Sequence, residues 1–296
     1  MKNASEHEYT TYPRMFNAYR WYKPLLVGAL YVLFIVFGLL ITDLITKLFF
    51  GNVASSVGYD DMDLFTTAGA FSNGATAAIV IPCLLLAAFI VKDRPISSYF
   101  SSMGGWRWKV FFKTLAVFIV IFAIPSAIFF ALKGRTSDIR FTLGGLITII
   151  LMIPLQSIGE ELSYRSFCMQ TVSSWFRIPV AGLIVQIILF TIVHPYNIIG
   201  IIGIAVSALN YGLICILTRG LEAPSALHIL NNMTEILMVG FGFGSLTGEQ
   251  TVPSMLFNLT LKILCFLFLL YADKKLHWFD EVRYDDVERF NARTKK

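Results

Sequence analysis

Glu160 and Glu161 stand side by side and Arg165 follows four residues after the second; His194 comes later, and His228, Asn232 and Glu235 follow at spacings of four and three. Carboxylates and imidazoles are the side chains that most often move protons in catalysis, so a cluster of them can activate a water and protonate a leaving group. An imidazole and an amide can also donate hydrogen bonds to an oxyanion as it forms. Of four His in the chain, His7 and His277 fall in polar ends, while His194 and His228 fall in apolar sequence. Ionisable groups in such surroundings are costly unless they face a cavity and find partners. The plainer alternative is that these two imidazoles only hydrogen-bond across packed helices.

Spacing limits how these groups can meet. Neighbouring residues on a helix point about 100° apart, so Glu160 and Glu161 cannot share a face. Glu161 and Arg165, four apart, can form an ion pair, which leaves Glu160 for separate work. With a turn near Phe176 to Ile178, Glu160 lies sixteen residues before the turn and His194 sixteen after it. At about 1.5 Å per residue both lie roughly 24 Å from the turn, where a carboxylate and an imidazole can meet. The amphipathic stretch Ser163 to Ser174 leaves a second placement open, with the hairpin projecting into the cytoplasm. His228, Asn232 and Glu235 share one helix face, either as part of a site or as a polar packing stripe.

The elements that must hold these residues follow from composition. The chain has 296 residues, 56% of them hydrophobic and 15% charged, and a mean hydropathy of +0.68. Soluble domains carry about 25% charged residues, so an ordinary soluble fold and a disordered chain are both excluded. Crossing a hydrocarbon core takes about 20 mostly apolar residues in a helix. About eight stretches qualify, near Leu25 to Leu48, Ala75 to Val91, Val110 to Leu132, Thr142 to Phe167, Ile178 to His194, Ile198 to Leu217, Ala223 to Val239 and Pro253 to Tyr271. They are continuously apolar, unlike the alternating strands of a barrel. The expected fold is all-α, a polytopic membrane protein of about eight transmembrane helices. Residues 1–24 form an N-terminal segment, 25–273 the helical membrane domain and 274–296 a basic tail.

With the N-terminus in the cytoplasm, seventeen Lys and Arg fall on the inner side and three (Lys133, Arg135, Arg140) on the outer. All five Trp fall on the inner side as well. Both termini are therefore expected to be cytoplasmic. The basic tail fits this topology and contact with membrane lipids, and nucleic acid is not expected as a partner. The four Cys form no CxxC pair and read as small buried hydrophobes.

The motifs Glu160-Glu161-x-x-x-Arg165, Phe190-x-x-x-His194 and His228-x-x-x-Asn232, in that order on three helices, resemble the CPBP family. These are the CAAX prenyl protease and bacteriocin-processing intramembrane proteases, also called the Abi family. The resemblance covers 144–239 and includes the stretch from Tyr211-Gly212-Leu213 through Thr218-Arg219-Gly220 to Ala223-Pro224. Many relatives have Phe and Gly on either side of the motif Arg, where this chain has Tyr164 and Ser166; Glu235 is extra to the motif.

The resemblance implies an intramembrane endopeptidase acting on a membrane-associated or prenylated peptide or protein. It implies that Glu160 and His194 hold and deprotonate a water, that Glu161 and Arg165 support them, and that His228 and Asn232 stabilise the oxyanion. Phe190 and Glu235 would contact substrate or support the site, Glu235 alternatively pairing with Lys262. Glu160, His194 and His228 also form a possible zinc set, two imidazoles and a carboxylate with water in the fourth position. The chain lacks HExxH, and activation of water by Glu and His with no metal required is the preferred expectation. Substrates in the family include prenylated proteins that lose a C-terminal tripeptide, and bacteriocin leaders. A non-catalytic binder, scaffold or bacteriocin-immunity protein that keeps the fold is the main alternative. A transporter, suggested by Asp43, Glu235 and Lys262, is the weaker one. The expected location is the cell membrane in a prokaryote or the endoplasmic reticulum membrane in a eukaryote.

Overall fold

The computed structural model describes residues 8–51, 64–194, 196–244 and 251–294. His7, with the rest of the first seven residues, and the last two residues of the tail lie outside the described residues. The order along the chain is α1 (Lys23–Phe50), α2 (Thr67–Val91), α3 (Trp108–Leu132), α4 (Leu143–Phe176), α5 (Pro179–Ile192), α6 (Ile198–Thr218), α7 (Glu222–Gly240), α8 (Val252–Leu276) and α9 (Asp286–Thr294). Among the described residues there is no strand, and one isolated bridge pairs Ser101 with Gly220.

Each of the eight apolar stretches is helical. Among the described residues six helices, α1 to α4, α6 and α8, are long and apolar enough to cross a membrane, so the expected eight crossings are matched in six. Helix α5 has only 14 residues, a rise of about 21 Å against a hydrocarbon core of about 30 Å. Helix α7 is long enough but carries Glu222, His228, Asn231, Asn232, Thr234 and Glu235. It tolerates them because it packs against α3, α4 and α6, and its first eight residues are all buried. A helix enclosed by protein needs no apolar coat.

Local chemistry explains the other departures from expectation. Helix α2 begins at Thr67, eight residues earlier than the apolar run suggests, capped by Thr66, whose hydroxyl accepts from Gly69 N at 3.2 Å. Its first turns are small rather than apolar, and they lie against α4 so closely that a Cβ on Gly74 would come within 2.3 Å of Met152 Cβ. Small residues permit such close approach of helices in membranes. Helix α4 runs nine residues past Phe167, and its stretch Leu162–Cys168 is π-helical. π-Bulges are frequent at functional sites, and this one contains Arg165.

Charged contacts fix α7 within the bundle. Its N-terminus is held by Glu222, which accepts from Arg107 N at 2.8 Å, Nε at 3.0 Å and Nη2 at 2.9 Å. Arg107 Nη2 also donates to the Thr218 carbonyl at the end of α6, at 2.6 Å. A bidentate guanidinium–carboxylate pair is strong and directional. At the same end of the bundle, α9 docks on the N-terminal segment, where Asn291 Oδ1 accepts from Asn17 N at 2.7 Å and Phe290 meets Phe16 edge to face.

Candidate active site

The motif residues converge where α4, the end of α5, α6 and α7 meet. Arg165 Nη1 lies 3.1 Å from Glu161 Oε1, with both side chains fully buried. The guanidinium also lies over two aromatic faces, 4.3 Å from the Phe190 centroid and 5.3 Å from that of Tyr211. Such cation–π contacts partly replace the solvation a buried cation loses. The ion pair expected from the four-residue spacing is thus present.

His228 lies between the two glutamates. Its Nδ1 is 2.8 Å from Glu161 Oε1, and its Nε2 is 3.6 Å from Glu160 Oε2. Arg165 beside Glu161 favours an acceptor carboxylate there, so the imidazole donates from Nδ1 and presents Nε2 to Glu160. Tyr211 stacks on the imidazole at 5.1 Å with 23° between the planes. Glu160 keeps 20% of its side chain exposed, and its Oε1 accepts from Gln156 Nε2 at 3.3 Å. Its Oε2 is enclosed and has no hydrogen-bond partner among the described residues.

His194 joins the cluster through an aromatic ring. It lies just beyond the end of α5, its Nδ1 is 2.6 Å from the Phe190 carbonyl, and its ring is 4.6 Å from that of Phe190. Donation from Nδ1 to that carbonyl leaves Nε2 as an acceptor. Phe190 also lies 6.0 Å from His228 and 5.1 Å from Tyr164, so one ring links both imidazoles and Arg165. Glu160 and His194 share no hydrogen bond or ion pair among the described residues. Depth counted along straight helices does not carry over, because α5 stops at Ile192 before His194 is reached.

Asn232 and Glu235 lie further along α7. Asn232 Oδ1 accepts from Asn231 Nδ2 at 3.0 Å, and Asn231 Oδ1 accepts from Asn258 Nδ2 on α8 at 3.3 Å. Glu235 lines a neighbouring cavity together with Lys262. Neither Asn232 nor Glu235 hydrogen-bonds to the glutamate–histidine cluster among the described residues. Tyr211, a platform for both Arg165 and His228, was part of the matching sequence stretch but had no assigned role; its place on the imidazole depends on how α6 packs against α7.

The possible zinc set does not come together as a ligand group. Among the described residues no three His, Cys, Asp or Glu side chains converge as they would around a metal ion, and His228 Nδ1 is engaged with Glu161.

Residues 142–234 match the family model described as Type II CAAX prenyl endopeptidase Rce1-like. This segment belongs to the CPBP family. Comparison with curated proteins gave no match, and comparison with solved structures gave none either. The CPBP segment runs from the cap of α4 to Thr234 on α7 and contains every motif residue, while Glu235 and Lys262 lie beyond it. With six helices among the described residues long and apolar enough to cross a membrane, the protein is an integral, multi-pass membrane protein.

Proposed function

We propose that this chain is an intramembrane endopeptidase that hydrolyses a peptide bond in a prenylated or otherwise membrane-associated peptide. Glu160 takes a proton from a water held with His194, and the water oxygen attacks the carbonyl carbon. The proton passes from the Glu160 carboxyl to the departing amine nitrogen as the C–N bond breaks, so Glu160 acts as base and then as acid. His228 and Asn232 stabilise the tetrahedral oxyanion. Glu161 and Arg165 hold His228 in the orientation this requires.

The observation that carries this reading is the contrast between the two glutamates. Glu161 is committed to Arg165 and His228, whereas Glu160 Oε2 faces an imidazole nitrogen 3.6 Å away and has no hydrogen-bond partner among the described residues. Substituting Glu160→Gln keeps the shape and removes the base. Cleavage of a fluorogenic prenylated peptide is expected to fall by about 10²- to 10⁴-fold with thermal unfolding unchanged; cleavage at the wild-type rate refutes the proposal.

The proposed chemistry needs no metal. Chelator treatment of the purified protein is expected to leave cleavage intact, and complete loss restored by zinc alone would overturn that part. Both termini are proposed to face the cytoplasm, in agreement with the distribution of Lys and Arg.

A further inference from the structure

The part of α4 that carries Glu160 is bounded by two irregularities, Pro154 on one side and the π-helical stretch beginning at Leu162 on the other. Neighbouring helices hold the backbone between them. Gly159 lies against α2 so closely that a Cβ would come 2.6 Å from Val80 Cγ2. Ser163 Oγ donates to the Gly159 carbonyl at 2.8 Å, which leaves the Tyr31 hydroxyl of α1 to donate to Ser163 Oγ at 2.7 Å. With the backbone fixed in this way, the side-chain torsions of Glu160 are what remain to be set.

Gln156 stands one helical turn before Glu160 and follows the apolar run Leu151-Met152-Ile153-Pro154-Leu155. Residues four apart on a helix are neighbours, and Gln156 Nε2 donates to Glu160 Oε1 at 3.3 Å. Among the described residues no other group donates to this carboxylate, because His228 presents Nε2 to it as an acceptor. The other end of the amide is less well placed. Gln156 Oε1 is enclosed and has no hydrogen-bond partner among the described residues, a costly state for a buried acceptor. A thioether side chain of similar length would fill the same space without that cost, so the fold itself gains nothing from an amide here.

We infer that Gln156 is a positioning residue for the reaction: it holds Glu160 Oε1, so that Oε2 is the oxygen that takes the proton from water and passes it to the departing amine. The inference rests on the peptidase reading above. Glu160 Oε2 lies 3.6 Å from His228 Nε2, and a carboxylate held by one oxygen keeps the other aimed at that side. Without the amide the carboxylate turns about its last torsion, which is broad and weakly restrained, and the reacting lone pair leaves the line to the water. Gln156 lies within the segment that matches the family but outside the three motifs.

The test uses the full-length protein in detergent and the fluorogenic prenylated peptide. Gln156→Met should lower kcat about 10-fold with KM within about 2-fold, the pattern of an interaction that acts on the reacting geometry and not on substrate binding. The same variant should unfold at or above the wild-type temperature, which a residue serving the fold would not do. Gln156→Glu, close in shape but without the amide donor at neutral pH, should lose at least as much kcat. In the Glu160→Gln background, measured at single turnover, adding Gln156→Met should change the residual rate by less than about 2-fold. Wild-type kcat in Gln156→Met or in Gln156→Glu overturns the inference, as does a 10-fold further loss in the Glu160→Gln background. A Gln156→Met protein that fails to fold or unfolds below the wild-type temperature also overturns it, because the side chain then serves the fold. All of these leave the peptidase reading standing while Glu160→Gln is inactive; full cleavage by Glu160→Gln sinks that reading and this inference with it.

Discussion

His228 Nδ1 lies 2.8 Å from Glu161 Oε1, so the second glutamate of the pair, and not the first, sets the orientation of the imidazole. Arg165 completes the chain of contacts from the other side of the same oxygen, at 3.1 Å. The three residues come from two helices, α4 and α7, and link the π-helical segment of one to the buried half of the other. Glu160 shares none of these bonds. Two adjacent, chemically identical side chains are thereby divided into one that orients and one that is left to react.

That division predicts different failures for the two glutamates. Glu161→Gln leaves the fully buried Arg165 without its counter-ion, and breaking a buried pair by removing one partner typically costs about 3–5 kcal/mol. Thermal unfolding should show a large loss, unlike Glu160→Gln. The double substitution Glu161→Gln with Arg165→Met removes both charges and should recover much of the stability without recovering cleavage, because His228 is no longer held by a charged partner. Recovery of both would show that the pair only supports the fold.

Much of this arrangement was legible in the sequence, and the limits have physical causes. Spacing within one helix was a reliable guide: Glu161 and Arg165 do pair, and His228, Asn232 and Glu235 do lie along α7. Contacts between helices were less accessible. Glu160 was expected to meet His194 from residue counts on two straight helices, but α4 passes through a π-helical stretch and α5 ends before His194, and Glu160 faces His228 instead. The start of α2 was hidden because Thr67 to Gly74 is mostly small residues with Phe71 the one large apolar side chain, and what shows there is the close approach of Gly74 to Met152. The docking of α9 on Asn17 and Phe16 joins segments more than 270 residues apart and leaves no local pattern.

Tyr211 should act through its ring and not its hydroxyl. The hydroxyl is buried with no hydrogen-bond partner among the described residues, so Tyr211→Phe is expected to unfold at or slightly above the wild-type temperature and to cleave normally. Tyr211→Leu removes the face stacked on His228 and the face under Arg165, each such contact being worth about 0.5–1.5 kcal/mol. It should lower both stability and kcat/KM. Equal behaviour of the Phe and Leu variants would refute a stacking role.

Gly182 sets the distance between α5 and α4. A Cβ at this position would lie 2.2 Å from the Met169 carbonyl oxygen and 2.2 Å from Ser173 Oγ, and the backbone oxygen cannot move without displacing α4. Gly182→Ala should cost about 1–3 kcal/mol through overpacking. Because Phe190 is carried on α5 and His194 follows it, a shift of about 1 Å should also lower cleavage by about 10²-fold. Wild-type stability and activity in this variant would show that the helices can separate without disturbing the site.

Attachment of α9 should depend on pH through Asp286. Burial pushes its carboxyl up to about 6 from the usual 3.8, partly opposed by the Ser97 hydroxyl, which donates to Oδ1 at 2.9 Å. The docked helix therefore holds this proton more tightly than the undocked one. Docking is favoured by the full amount below the undocked value, and that contribution is lost as the pH rises through about 6. Trypsin cleavage at exposed Arg289 should accordingly be slower at pH 5 than at pH 7.5 once corrected for the enzyme's own pH profile on an unstructured peptide. Asp286→Asn keeps an acceptor for Ser97 and cannot ionise, so its cleavage should be slow at both pH values. A variant as sensitive to pH as the wild type would place the dependence on another group.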